Sequence, residues 1–230
     1  MKNRIPESLI FAFAIIAFGG ILHNGFLQFV NRDRIVSVRG LAETEVPADK
    51  VFWSVSFSEI GDDISKLSQS IVQKDSLILK FFTDHGIARE ELTVNAPEII
   101  DVFANPYMEK RQKDSRYTMT STISLASSNI DAVRKLRSEI AEIASKGIAL
   151  NVGYALYEFT KLNEIKPQMI EEATRNARAA AEKFAKDSQS KLGKIKLASQ
   201  GLFSIDSRDE STPYIKKVRV VTNIDFQLED

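Results

Sequence analysis

Apolar positions along this chain form three kinds of pattern: one unbroken run, several strict alternations and three helical stripes. The run comes first. Leu9 to Val30 reads LIFAFAIIAFGGILHNGFLQFV, twenty-two residues without a charged side chain, preceded by Lys2 and Arg4. As a helix rising about 1.5 Å per residue it extends roughly 33 Å, enough to cross a bilayer core.

The alternations predict strands. Ile35 to Leu41 is a short one ending around Gly40. Val51, Trp53, Val55 and Phe57 then alternate with Ser54, Ser56 and Ser58, which gives a half-buried second strand. Leu92 to Phe103 reads as a strand interrupted at Pro97, and Tyr117, Met119, Ser121, Ile123 and Leu125 form another. Ile148, Leu150, Val152, Tyr154 and Leu156 follow the same period, and two final strands end the chain. In the last of these Val218, Val220, Ile224, Phe226 and Leu228 share one parity, opposite Lys217, Arg219, Asp225 and Gln227.

The stripes predict helices. Asp62-Asp63 opens the first, with Ile64, Leu67, Ile71, Ile78 and Phe81 or Phe82 near one face and Gly86 as its stop. Ser128 with Asp131 resembles a capping box ahead of Val133, Leu136, Ile140 and Ile143, and Gly147 ends that helix. The third starts at Pro167, stops by Gly193, and turns Met169, Ala173, Ala177, Ala180, Ala181 and Phe184 inward. Strand, helix, Gly-Ile and strand thus occur twice, His85-Gly86-Ile87 being echoed by Lys146-Gly147-Ile148. The order predicts an α+β fold: a mixed, largely antiparallel sheet packed with three main helices, with two weakly repeated strand-helix-strand units, preceded by an N-terminal transmembrane or signal helix. Residues 1–34 form the membrane anchor or signal segment, and residues 35–230 the folded domain.

The leader has two readings. Lys2 and Arg4, the apolar stretch from Leu9 to Ile16 and a tolerable cleavage site at Ala17-Phe18-Gly19 fit a secretory signal. Apolar residues continue past that site through Ile21, Leu22, Phe26, Leu27, Phe29 and Val30, which favours an uncleaved anchor through residues 9–30. Lys2, Arg4 and the amine against Glu7 outweigh Arg32 and Arg34 around Asp33 by one charge. That margin places the N-terminus in the cytoplasm and exports the domain. His23 reads as an interfacial polar residue rather than a proton relay.

Charge and composition narrow the function classes. The chain holds 31 basic and 31 acidic residues; four of the former and two of the latter lie in the first thirty-four positions. The near-neutral remainder argues against a nucleic-acid partner, which calls for concentrated positive charge. Cysteine is absent, which excludes thiol nucleophiles, disulfides and zinc knuckles.

The candidate chemistry is sparse. Asp84-His85 resembles half an acid–base pair, but no G-x-S-x-G elbow occurs, and a histidine at a helix end reads as a cap. No catalytic residue, cofactor site or metal site is assigned. Glu43, Glu45 and Asp49 cluster near a turn without the ligand spacing of a calcium loop. Lys216, Lys217 and Arg219 read as charges blunting an edge strand rather than as a lipid contact. Trp53, Phe52, Phe57 and Phe103 read as core rather than as the lining of a ligand cleft. Tyr107 and Met108 differ: an aromatic and a methionine within the polar stretch Asn105 to Ser115 mark the candidate interaction site.

Three blocks resemble one family. Val36-Ser37-Val38-Arg39-Gly40 through Glu43, Glu45, Val46, Pro47 and Asp49 looks like the opening strand and turn of SIMPL-domain proteins. Lys161-Leu162-Asn163 through Pro167, Ala173, Asn176-Ala177-Arg178 and Ala179-Ala180-Ala181 resembles that family's alanine-rich helix, and Leu192-Gly193-Lys194-Ile195 with the terminal strand completes the pattern. Ala48 between Pro47 and Asp49 departs from it. The resemblance covers Ile35 to Asp230. It implies a bacterial envelope protein, periplasmic or membrane-associated, with oligomeric members and a stress-protective role in some, and with no established enzyme activity or cofactor.

The expectation is a non-enzymatic protein of the bacterial inner membrane, single-pass, whose SIMPL-like domain faces the periplasm. There it self-assembles as a homo-oligomer or binds an envelope protein partner. Secretion to the periplasm after leader cleavage is the alternative for location. A module binding a small apolar or envelope-derived ligand between sheet and helices is the alternative for function.

Overall fold

The computed structural model describes residues 13–22, 34–104 and 115–229. Residues 13–22 form an exposed helix, α1. No helix among the described residues is long and apolar enough to cross a membrane. The folded part runs β1 (Ile35–Pro47), β2 (Lys50–Gly61), α2 (Ile64–Asp84), a 3-10 turn (Arg89–Glu91), β3 (Leu92–Val94), β4 (Glu98–Asp101), β5 (Tyr117–Ser127), α3 (Ile130–Glu139) and α4 (Glu142–Ser145). It continues through β6 (Asn151–Val152), β7 (Leu156–Glu158), α5 (Leu162–Asp187), β8 (Lys191–Gln200), β9 (Ser204–Ser207) and β10 (Ile215–Glu229). The α+β class holds, but the strands make two sheets where one was expected: a four-stranded sheet ordered β1-β10-β8 with β9 on β10, and a six-stranded sheet ordered β3-β5-β2-β6, extended by β4 on β5 and β7 on β2. The chain divides into two compact units, one of residues 45–162 and 205–217, the other of residues 1–44, 163–204 and 218–230.

The first unit contains the sequence repeat. Its units are β2-α2-β3 and β5-α3-β6, and the strand order places the outer strand of each beside the central strand of the other, with every pairing antiparallel. This is the split β-α-β arrangement. It explains the Gly-Ile echo. Gly86 and Gly147 both sit at positive φ, 87° and 75°, where glycine escapes the Cβ clash, and each delivers an isoleucine, Ile87 or Ile148, into the same core at 2 % exposure. β2 and β5 pair along their full length, with Trp53 opposite Leu125 and Val55 opposite Ile123, so the inward parity read from each strand is the one buried.

Local expectations fared unevenly. Asp63 caps α2, its Oδ1 accepting from Ser65 N at 3.0 Å and Lys66 N at 3.2 Å. The cap of α3 is Asn129 rather than Ser128: Asn129 Oδ1 accepts from Ala132 N at 3.1 Å, while Ser127 Oγ accepts from Asn129 N. The helix also breaks between Glu139 and Glu142, yet Val133, Leu136 and Ile143 are buried as expected. The strand expected over Ile148 to Leu156 is reduced to the pieces β6 and β7. Between them Gly153 accepts from the Trp53 indole N–H at 2.9 Å and donates to Ser54 O at 3.1 Å, and Tyr154 turns outward. Satisfying the buried indole takes precedence over continuing the ladder.

Trp53 and Phe57 are core, as read; Phe52 is half-buried and Phe103 is exposed. The space between the six-stranded sheet and its helices is filled by Trp53, Ile78, Phe81, Phe82, Ile123 and Leu136, none above 3 % exposed. One acid lies among them. Asp75 of α2 accepts from Ser121 Oγ at 2.7 Å, and burial pushes its pKa up. An acid whose pKa rises on folding contributes its stability below its unfolded value of 3.8, and loses it as pH climbs through the folded value. Asp75→Asn, which keeps an acceptor for Ser121 without the charge, is therefore expected to melt above the parent protein at pH 7. The gap should close as thermal scans move toward pH 4; a variant melting lower at every pH would contradict this account.

The second unit packs α5 on the four-stranded sheet through Met169, Ala173, Ala177, Ala181 and Ala185, all buried. Several expectations are corrected here. The helix starts at Leu162, so Pro167 lies inside it, and it ends at Asp187 with Gln189 at φ 55°; Gly193 belongs to β8. Phe184 is 60 % exposed, because the stripe continues with period four from Ala181 to Ala185. β1 extends past Gly40 to Pro47. On β10 Val218, Val220, Ile224 and Phe226 are buried as read, with Thr222 among them, while Leu228 is half-buried. That strand is paired on both sides, so the edge-blunting role of Lys216, Lys217 and Arg219 is overturned.

Candidate functional site

Helix α3 uses its stripe of Val133 and Leu136 to bind the sheet, which leaves Arg134 and Arg137, three residues apart, on a shared flank. Opposite them lie the segment before and within β7 and the turn from β9 to β10. The space between is an open groove of about 780 Å³, lined by both arginines together with Tyr154, Tyr157, Glu210, Ser211 and Tyr214.

Each wall is held by its own chemistry. The Arg134 guanidinium lies 3.8 Å from the centroid of the Tyr214 ring and donates to Asp131 Oδ1 at 3.2 Å. Tyr214 meets Tyr157 edge to face at 6.2 Å, and its carbonyl accepts from Ala48 N at 2.8 Å. The turn carrying Glu210 and Ser211 is tied by Asp209, whose carboxylate accepts from Thr212 N at 2.7 Å, Thr212 Oγ1 at 2.6 Å and Arg208 Nε at 3.0 Å. The Thr212 hydroxyl first, then Arg208, hold the Asp209 pKa down to about 2. Arg208 also reaches Glu45 at 3.3 Å, and the two carboxylates push its own pKa up.

Arg137 is different. Its guanidinium lies 5.7 Å from the Trp53 ring centroid, and its Nε is shielded from solvent without a hydrogen-bond partner. Tyr154, at 98 % exposure, stands at the mouth. The groove thus presents guanidinium donors between aromatic faces. Such a surface suits a planar anionic group, which a guanidinium fork meets with two parallel hydrogen bonds.

The residues singled out in the sequence lie elsewhere. Tyr107 and Met108 fall outside the described residues. His85 caps α2, with Nδ1 2.6 Å from Phe81 O and Nε2 3.2 Å from Glu139 Oε2. Of the acidic trio, Glu45 faces Arg208, and Asp49 accepts from Thr160 N at 2.9 Å and Thr160 Oγ1 at 3.2 Å. Lys216 is buried and donates to Ser207 Oγ at 3.0 Å; desolvation lowers its pKa against the pull of Glu158 and Asp206. The groove residues escaped notice because arginines flanking an apolar stripe read as a solvated helix face. One signal was available. Three of the chain's five tyrosines line this recess, two of them within four residues.

Fold and groove define an α+β protein with a cationic, tyrosine-lined recess on a split β-α-β unit. The chain belongs to the SIMPL family, described as a protein of unknown function (DUF541), whose pattern matches residues 36–224. It is also 23 % identical over 155 residues to a protein of Oncorhynchus mykiss described as an interleukin-1 receptor-associated kinase 1-binding protein 1 homolog. The match takes in 67 % of this chain and 60 % of the relative, so this chain spans less than two thirds of that protein's length.

Proposed function

We propose that this protein is a non-enzymatic binding protein of the bacterial envelope. Residues 9–30 hold it in the inner membrane, and the SIMPL domain faces the periplasm, where the α3 groove engages a protein partner. The observation that carries the reading is the groove itself, two arginines set among three tyrosines. Arginine and tyrosine are enriched at protein interfaces, where a rigid ring and a forked cation give much contact for little lost entropy. The description of the relative as a binding protein accords with a protein partner. The uncharged run from Leu9 to Val30 behind Lys2 and Arg4 supports the anchor and its direction.

A photo-crosslinking amino acid in place of Tyr154 tests the partner in intact cells. A discrete adduct is expected from that position and none from Val72, another exposed site, on α2. Indistinguishable patterns from the two positions would refute the reading. An alkaline phosphatase fused after Asp230 is expected to be active; activity of a cytosol-only reporter at that point would refute the location.

A further inference from the structure

We propose that the groove takes a carboxylate from an acidic segment of the partner protein, with Arg137 as the anchoring side chain and Glu210 as the group that limits its affinity. This assignment rests on the partner-binding reading above and names the chemistry of the same recess.

The argument starts from unequal satisfaction of the two arginines. Arg134 has both a ring, Tyr214, and a counterion, Asp131. Arg137 has a ring, Trp53, and no side-chain hydrogen bond or ion pair among the described residues; its Nε is already withdrawn from water. With Nε closed off, the terminal amino groups of the guanidinium are the donors left for an acceptor in the groove that Arg137 lines. The groove therefore presents one guanidinium fork with no carboxylate against it among the described residues. Asp131 already balances Arg134, which leaves the single planar fork of Arg137, a group that meets one carboxylate with two parallel hydrogen bonds. The open mouth and the exposed Tyr154 admit a side chain on a peptide rather than enclosing a small solute.

The molecule contains its own reporter. Trp53 is the only tryptophan, and the Arg137 guanidinium sits against its ring, so an anion that draws on Arg137 alters Trp53 emission. The probe is an acetylated, amidated Gly-Glu-Glu-Glu-Gly peptide titrated into the full chain in detergent, with a Gly-Gln-Gln-Gln-Gly peptide as control. A saturable emission change is expected with the first only. Arg137→Gln is expected to weaken it at least tenfold, with Arg137→Lys in between because an ammonium lacks the planar fork. Glu210→Gln, on an exposed turn, is expected to tighten it about threefold, and this variant decides the matter even if the Arg137 variants do not fold.

Affinities of Arg137→Gln within twofold of the parent protein, equal responses to the two peptides, or a Glu210→Gln variant no tighter than the parent would each overturn the assignment. So would inorganic phosphate binding more tightly than the glutamate peptide. The two readings fail separately. In cells, Arg137→Gln that keeps the Tyr154 adduct overturns the anchor and leaves the partner standing. A parent protein without an adduct overturns the partner, while the peptide titration still decides the anchor.

Discussion

Gly40→Ala is expected to lower the melting temperature of the full chain in detergent by about 6–12 °C. Gly40 lies mid-strand in β1 on the buried face between Val38 and Ala42, where α5 crosses at backbone distance. A Cβ there would lie 2.7 Å from Ala177 N and 2.8 Å from Ala173 C, with Ala173 O closer still. These are helix backbone atoms, so no side chain can rotate aside. α5 would have to retreat from the sheet along Ala173, Ala177, Ala181 and Ala185, whose small size exists to permit the approach. Overpacking a tight core costs about 1–3 kcal/mol when side chains adjust; a collision with backbone falls at or above the top of that range. At roughly 2–4 °C per kcal/mol for a chain of this size, the shift follows. Thermal unfolding followed by circular dichroism measures it, and a change under 2 °C would show that β1 and α5 are less closely joined than these contacts require. The exposed change Val72→Ala, with no packing to lose, should leave melting within about 2 °C.

Phe82→Ala should destabilise the split β-α-β unit by about 3–5 kcal/mol, the usual cost of emptying a buried aromatic site. Phe82 is 1 % exposed, lies parallel to Trp53 with centroids 5.7 Å apart and planes 8° apart, and touches Phe81 at 6.4 Å. The cavity falls beneath the indole, at the centre of the core between α2 and β2. Two measurements check it: a lower urea midpoint with an unchanged slope, and a red-shifted Trp53 emission in the folded state. An unchanged midpoint would mean that the core closes around the loss.

How much of this was legible beforehand varies from element to element. The period-two pattern of Val51 to Phe57 and of Tyr117 to Leu125 placed both central strands and their inward faces, because burial of one face is what that alternation encodes. The two Gly-Ile junctions revealed the repeat, since both glycines are set by backbone conformation at a helix end, a local matter. Pro167, Gly193 and Ser128 were misread for the same kind of reason. Each is a local signal whose usual role was taken over by a neighbour: the helix began a turn earlier, the chain reversed at Gln189, and Asn129 reached the free amide first. Gly40 was visible as a glycine in a strand, but not as the seat of a helix 133 positions along the chain.

Residue order alone determined the apolar leader, the α+β class, the alternating core and the membership of the SIMPL family, because periodicity and local turn chemistry are written into consecutive positions. Tertiary structure decided that the strands form two sheets rather than one, that β10 is interior and Lys216 buried, and that Arg134, Arg137, Tyr154, Tyr157 and Tyr214 share a groove. The physical reason is that strand pairing and side-chain convergence bring together residues far apart in the chain, eighty positions in the case of Arg134 and Tyr214. No spacing along the chain records which distant partner a hydrogen-bonding edge or a guanidinium will meet.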